Sequence, residues 1–216
     1  MIADHILLCA IWQDGISNTK NILYCQFSVV MAMPLFFSKM TRRNLYSWEQ
    51  QEAETVFSAS IEYQRVIVHE GVRWTNVVDD WSRRMRFVPA RPQNQQNAIA
   101  IGFHCYFPIC LPTICLSGNN EFRLSMGWLI HELVHVWQFQ SMGWNYLPRA
   151  LMTHIREGDD VYNYGGQANL EKSRSDGIRL KDYNLEQQAA IIQDAYLNRS
   201  DVYCDSVWDA FIADVR

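Results

Sequence analysis

The pentapeptide His131-Glu132-Leu133-Val134-His135 is the strongest chemical signal in this sequence of 216 residues. Residues four apart on an α-helix lie on one face, one turn apart, so the two imidazoles can grip a single metal ion. Glu132 is offset around the helix, where it can hold a water molecule instead of acting as a ligand. The pattern therefore predicts a zinc site, with a hydrogen-bonded structural pair of histidines as the alternative.

A catalytic zinc ion needs three protein ligands and one position for water, so a third ligand must come from downstream of the motif. Glu186 is the first choice, because it lies one turn into a predicted helix that follows a long loop. His154 is the second choice. The other candidates are Glu157, Asp159, Asp160 and Asp182. Gln138 and Gln140 are candidates to donate a hydrogen bond to a ligand imidazole, and the alternative is that both are simply exposed.

Three helices are predicted around these residues. Residues 125–141 are apolar nearly all round, which indicates a buried helix, and Gly143 is suited to its C-terminal cap. Residues 147–157 form a further predicted helix. Asn184 is a good N-cap for a helix that runs to about residue 198.

The rest of the chain mixes helices and strands. Leu45, Trp48, Ala53 and Val56 recur at helical spacing from about residue 44. Strands are predicted over 61–69 and over 98–107, the second broken at Gly102. The remaining segments are a loop over 83–97, a long loop or short hairpin over 161–182, and a last helix over 201–213. This order indicates the α+β class.

Composition excludes several functional classes. Apolar residues make up 49% of the chain and charged residues 19%, which is enough to bury a core. A net charge of −4 disfavours nucleic-acid binding. The six cysteines form no CxxC pair, so buried free thiols are expected, with Cys105, Cys110 and Cys115 as those that would bridge in an oxidising compartment.

The first 43 residues are predicted to be an apolar N-terminal extension to a domain that spans 44–216. The apolar stretch over 22–37 is short for a membrane-spanning helix and lacks the features of a signal peptide, so a membrane role is not expected. The extension is interpreted either as a start-site artefact or as a partner-binding segment.

HELVHVWQ (131–138) followed by YNLEQQA (183–189) resembles the zincin-like metallopeptidase domains attached to, or encoded beside, bacterial type VI secretion VgrG spike proteins. It is more distantly similar to gluzincins such as anthrax lethal factor and the Mtf-type peptidases. The similarity runs from about residue 45 to about residue 196. It implies a zincin-like fold, with a small mixed sheet packed on the helix of the motif and a mostly helical C-terminal part.

The resemblance also implies the roles of individual residues. His131, His135 and Glu186 would bind one catalytic Zn²⁺, and Glu132 would be the general base that takes a proton from water and gives it to the leaving amine. The strand before the motif would form the rim that binds an extended substrate. Its rim residues are Ile99, Ile101 and Phe103.

A hydrogen-bond donor must also stabilise the oxyanion of the tetrahedral intermediate. The candidates that contact this oxyanion or the substrate are Tyr162, Tyr164, Tyr183 and His154.

The resulting expectation is a zinc-dependent endopeptidase that acts on proteins or peptides. By resemblance it is a bacterial type VI secretion effector or toxin, made in the cytoplasm and exported to the periplasm of a rival cell. The expected partners are a VgrG spike, a chaperone or an immunity protein. The alternative is a non-proteolytic, zinc-bound scaffold that docks on the secretion spike or on such a partner.

Overall fold

The structure is a computed structural model that describes residues 40–85, 89, 92, 96–114, 119–199 and 206–216. Helices dominate this part of the chain, and a small sheet accompanies them. The helices are α1 (Ser47–Phe57), α2 (Trp74–Met85), α3 (Asn120–Met142), α4 (Tyr146–Glu157), α5 (Gly166–Ser175), α6 (Leu185–Leu197) and α7 (Val207–Ile212). The strands are β1 (Thr41–Asn44), β2 (Ile67–Glu70), β3 (Ile99–Ile101) and β4 (His104–Tyr106).

Helix α3 carries the predicted metal motif through the middle of the core. Its N-cap is Asn119, whose side chain accepts a hydrogen bond from the backbone N–H of Glu121 at 2.8 Å. Gly143 is its C-cap, as predicted. Apolar side chains are buried all round its central turns, and each fully buried Leu or Ile stabilises the fold by about 1.5–3 kcal/mol. The expectation of a buried helix is confirmed, with a start five residues earlier than predicted.

Helix α6 packs along α3 and begins at the predicted cap. The Asn184 side chain accepts from the backbone N–H of Gln187 at 2.8 Å, and the Gln187 side chain accepts from the backbone N–H of Asn184 at 3.2 Å. The two helices approach closely at Gly127, where an added Cβ would lie only 2.8 Å from a methyl carbon of Leu197. This close approach holds the last turn of α6 against the first half of the motif helix.

The sheet has the order β1-β2-β4-β3, so β3 lies at an edge. Strands β1 and β2 are antiparallel, β2 and β4 are parallel, and β3 and β4 are antiparallel. Val68, Ala100 and Cys105 are buried on the core side, and their sequence neighbours are half-buried on the other side, as the alternation of strands requires. The interior position of Cys105 raises the pKa of its thiol, first because burial disfavours the thiolate.

Several predicted elements differ from the structure. The strand predicted over 61–69 is shorter in the structure, where it is β2 and begins at Ile67, because residues 63–65 form a 3-10 turn. The strand predicted over 98–107 is a hairpin, because Gly102 takes a positive φ of 64° and reverses the chain. The last helix is α7, which begins at Val207, and residues 200–205 lie outside the described residues.

Two segments predicted as irregular contain helices. The loop predicted over 83–97 begins inside α2, where Arg83 is buried. The loop or hairpin predicted over 161–182 contains α5, which the fully buried Leu170 anchors to the core. Polar composition misled both predictions, because a helix needs only a few buried apolar contacts to be held in place.

The α+β class is confirmed. None of the described helices has the length and apolar character needed to cross a membrane. Cys105 and Cys110 are both free, and the other four cysteines lie outside the described residues. The boundary between residues 43 and 44 stays a prediction, because residues 1–39 are outside the described part, while Thr41–Asn44 forms β1.

Candidate metal centre

Helices α3 and α6 bring His131, His135 and Glu186 together. The Nε2 atom of His131 lies 3.5 Å from Oε2 of Glu186, and the Nε2 atom of His135 lies 3.3 Å from the same oxygen. All three side chains are buried, and one ligand atom from each lies within 4.8 Å of the others. Because this group offers two nitrogen donors and one oxygen donor, it can hold a metal ion.

Two glutamines fix the orientation of the imidazoles. The Nδ1 atom of His135 lies 2.8 Å from Oε1 of Gln138, and the Nδ1 atom of His131 lies 3.1 Å from Oε1 of Gln193. An amide oxygen can only accept a hydrogen bond, so each Nδ1 carries the proton and donates it. Each Nε2 therefore faces Glu186, and it presents a lone pair there whenever its imidazole is neutral.

Gln138 also joins α3 to the start of α6. Its Nε2 donates to the carbonyl oxygen of Leu185 at 2.9 Å and to Oε1 of Gln188 at 3.0 Å. Gln188 in turn donates to the carbonyl oxygen of Tyr183 at 2.9 Å. Gln138 thus holds His135 and the backbone next to Glu186 at once. Its contact with a candidate ligand imidazole agrees with the prediction, but its amide oxygen accepts this hydrogen bond, whereas donation was predicted. Gln140 instead accepts from the backbone N–H of Glu62 at 3.1 Å and does not contact a ligand imidazole in this way.

The electrostatics of this group call for a cation. Two nitrogen lone pairs and a carboxylate oxygen face one another in a buried space, which is repulsive unless a positive charge lies between them. Burial alone would lower the pKa of His135, but the Glu186 carboxylate outweighs it and raises the pKa to about 9. In the metal-free protein a proton therefore supplies the positive charge, and a divalent metal can replace that proton.

Glu132 lies beside this group and is 3% exposed. Its Oε2 atom has no hydrogen-bond partner among the described residues. Burial raises the pKa of its carboxyl group, the two histidines oppose this rise, and Glu186 adds to it. A buried carboxylate oxygen without a hydrogen bond lowers the stability of the fold. It therefore indicates a position that binds a group from outside the chain, such as a water molecule.

The other candidates for the third ligand are engaged elsewhere or lie outside the described side chains. Glu157 accepts from the side chain of Asn184 at 2.9 Å, and Asp182 accepts from the backbone N–H of Arg179 at 2.8 Å. Asp160 is exposed, and it does not belong to the metal-capable group found among the described residues. The side chains of His154 and Asp159 are outside the described part.

The three candidate tyrosines have different surroundings. The Tyr162 ring lies 5.9 Å from the His131 ring, measured between centroids. The Tyr164 hydroxyl donates to Asp194, and burial followed by the Asp194 charge raises the pKa of the phenol. The Tyr183 hydroxyl is buried with no partner among the described residues, and its ring packs on Phe211 at 6.0 Å.

In the part of the chain that the structure describes, the candidate rim strand β3 is an edge strand of the sheet and lies next to α3. Ile99 and Ile101 are half-buried on β3, and Phe103 packs edge-on against Phe139 of α3 with ring centroids 5.3 Å apart. Sequence reasoning missed Tyr146, whose hydroxyl donates to the carbonyl oxygen of Ala100 at 2.5 Å. It also missed Gln193, although Gln193 follows Glu186 by seven residues and so shares its helix face.

Comparison with known proteins gives one match. The chain is 30% identical over 161 residues to the type VI secretion system spike protein VgrG2b of Pseudomonas aeruginosa. The match covers 74% of this chain and 13% of VgrG2b, so the chain spans about an eighth of that relative's length. A stretch of this size must include residues 131–135 wherever it begins. No protein-family model and no solved structure matches the chain.

Proposed function

We propose that this chain is a zincin-like, zinc-dependent endopeptidase. The observation that carries the proposal is the convergence of three lone-pair donors, from His131, His135 and Glu186, beside the unpartnered carboxylate of Glu132. A purely structural pair of histidines needs neither a third donor nor a buried carboxylate oxygen left without a hydrogen bond. The small sheet beside the motif helix, followed by a mostly helical part, supports the same proposal.

In this proposal His131, His135 and Glu186 hold the metal ion. When bound, zinc supplies Lewis acidity, which polarises the scissile carbonyl and makes a water molecule more acidic. Glu132 accepts the proton of the attacking water and passes it to the nitrogen of the leaving amine. Burial raises the pKa of its carboxyl group, so the carboxylate is a stronger base than that of an exposed glutamate. Tyr162 and Tyr183 are the candidate donors to the oxyanion.

The setting that we propose is type VI secretion. The similarity to VgrG2b supports an association of this chain with a type VI secretion spike, in a bacterial cell that exports it. A protein substrate in the periplasm of a target cell is consistent with such export. A VgrG spike, a chaperone or an immunity protein would then be the partner.

The test compares metal content with cleavage in four forms of the full chain: wild type, Glu186→Gln, Glu132→Gln and Glu121→Gln. Glu121 is an exposed glutamate on the same helix as Glu132 and serves as the matched control. Metal content by mass spectrometry should be about one zinc per chain in all forms except Glu186→Gln. Cleavage of unfolded casein should fall about 10²- to 10⁴-fold in Glu132→Gln and stay unchanged in Glu121→Gln.

Two results would overturn the proposal in different ways. A wild-type protein that binds no divalent metal contradicts the metal centre itself. A protein that binds zinc but cleaves casein no faster than Glu132→Gln contradicts the peptidase and leaves the non-proteolytic scaffold.

A further inference from the structure

Among the described residues, no further strand pairs with the outer edge of β3, and this edge carries a hydrogen bond that the proposed catalytic step does not use. Strands β3 and β4 are joined by two residues, so Ile101 and His104 form the pair that exchanges hydrogen bonds across the hairpin. The backbone groups of Ala100 consequently face away from β4, towards the open edge. The Tyr146 hydroxyl donates to the Ala100 carbonyl oxygen at 2.5 Å.

The same phenol oxygen lies near the next outward-facing backbone group, the N–H of Gly102. Burial raises the pKa of Tyr146, and this nearby N–H partly offsets the rise. The Ala100 carbonyl and the Gly102 N–H are the acceptor and donor that one residue of an added strand would use. The Tyr146 hydroxyl therefore occupies the place that the backbone of one residue of an added strand would take.

Tyr146 lies at the junction between this edge and the candidate metal centre. Glu132 and Glu186 both raise the pKa of its phenol further, so it is within electrostatic reach of the site. Tyr146 is 2% exposed and its ring lies 6.0 Å from that of Phe139 on the motif helix. The neighbouring Trp144 is 63% exposed and packs on the same Phe139 at 5.0 Å.

We propose that Tyr146 blocks the edge of β3, and that an extended polypeptide adds to this strand only when the Tyr146 hydroxyl is displaced. We call this blocking hydroxyl the latch. This inference rests on the proposed function, because it assigns the β3 edge as the place where the protein substrate binds. The exposed Trp144 ring next to the latch offers an apolar surface to a side chain of the incoming strand. Tyr146 acts here as a positioning residue that limits access, and it does not touch the reacting atoms.

The experiment measures binding without turnover, in the full chain with Glu132→Gln. The probe is fluorescein-labelled casein, an unfolded protein, and the readout is fluorescence anisotropy. Tyr146→Phe removes the latch hydroxyl and keeps the ring. Tyr63→Phe is the matched control, because Tyr63 is also buried and its hydroxyl also donates to a backbone carbonyl, that of Ser58, at 2.9 Å.

Tyr146→Phe should bind casein about tenfold more tightly than the parent, which corresponds to about 1.4 kcal/mol. Tyr63→Phe should bind as the parent does. With Glu132 restored, Tyr146→Phe should raise kcat/KM for casein by a similar factor through a lower KM. Tyr146→Met provides the same comparison if Tyr146→Phe folds poorly. Binding that is unchanged or weaker in these variants overturns the latch.

The two proposals fail separately in this experiment. Casein that binds to the edge but is never cleaved by the wild type overturns the peptidase and leaves the latch intact. Casein that is cleaved equally well by wild type and Tyr146→Phe overturns the latch and leaves the peptidase intact.

Discussion

Two buried clusters of charged side chains lie in different parts of the molecule, and they differ in how many of their carboxylate oxygens have hydrogen-bond partners. One cluster joins Arg43, Glu49 and Glu70 where β1 and β2 meet α1, and we call it the sheet cluster. The other is the candidate metal centre. Both place carboxylates in the interior, where a charge without partners is costly.

Every carboxylate oxygen of the sheet cluster has a partner. Arg43 contacts the two oxygens of Glu49 at 2.6 and 2.8 Å, and it contacts Oε1 of Glu70 at 2.7 Å. The backbone N–H of Tyr46 donates to Glu49 at 2.8 Å, and the Thr41 hydroxyl donates to Oε2 of Glu70 at 2.9 Å. This is the arrangement expected of a cluster that serves only the fold.

The candidate metal centre has the opposite character. Oε2 of Glu132 has no partner among the described residues, and Oε2 of Glu186 faces the Nε2 atoms of His131 and His135. The difference teaches that burial of charge alone does not identify a functional site. Incomplete satisfaction of buried groups is the better indicator: the sheet cluster is satisfied within the described residues, whereas the candidate metal centre leaves Oε2 of Glu132 without a partner among them.

The largest expected effect comes from the same substitution made in each cluster. Glu49→Met should lower the free energy of unfolding by about 3 kcal/mol, because it breaks a buried ion pair and leaves the Tyr46 N–H without its acceptor. Glu132→Met should instead raise it by about 1 kcal/mol in the metal-free protein, because it replaces an unpartnered carboxylate with an apolar side chain of similar size. Urea unfolding in the presence of a chelator measures both. An equal decrease in the free energy of unfolding in the two variants would contradict the distinction between the clusters.

A smaller effect is expected from the residue that orients His135. Gln138→Leu should weaken zinc binding about 10- to 100-fold, because the His135 tautomer and the start of α6 both lose their hydrogen bonds. Gln140→Leu, on the same helix, should leave zinc affinity unchanged. Competition with a chromophoric chelator gives the affinities. Equal affinities in the two variants would show that Gln138 serves only the packing of the helices.

The smallest effect concerns an ion pair whose cation, Arg179, is largely exposed. It tests whether burial of both partners matters to the comparison. Asp214 accepts hydrogen bonds from Arg179 and from the backbone N–H of Leu180, and these outweigh burial and lower the pKa of its carboxyl group. The charged form therefore stabilises the fold above the unfolded pKa of about 3.9, and this contribution is lost as pH falls through the lower folded value.

Asp214→Asn should accordingly be slightly less stable than wild type at pH 6, and the difference should shrink as pH falls below the unfolded pKa of about 3.9 and through the lower folded pKa. Added salt should shrink the difference at pH 6, because Arg179 is largely exposed. Thermal unfolding across this pH range measures the effect. A difference that persists at low pH would show that the carboxylate charge is not its cause.

Much of the metal centre could be predicted from local sequence. The spacing of His131 and His135 determines a shared helix face, and Asn184 determines where α6 begins. The buried character of α3 follows from its composition. These features depend on contacts within one or two helical turns, which a linear sequence displays directly.

The tertiary structure decided what depends on distant parts of the chain. Only the packing of α6 on α3 selects Glu186 over the other acidic candidates and brings Gln193 to His131. Only the hairpin at Gly102 and the start of α4 bring Tyr146 to the edge of β3. The physical reason is that these contacts join residues 46 to 62 positions apart, and no local pattern records which of the many acceptors within reach a side chain will meet.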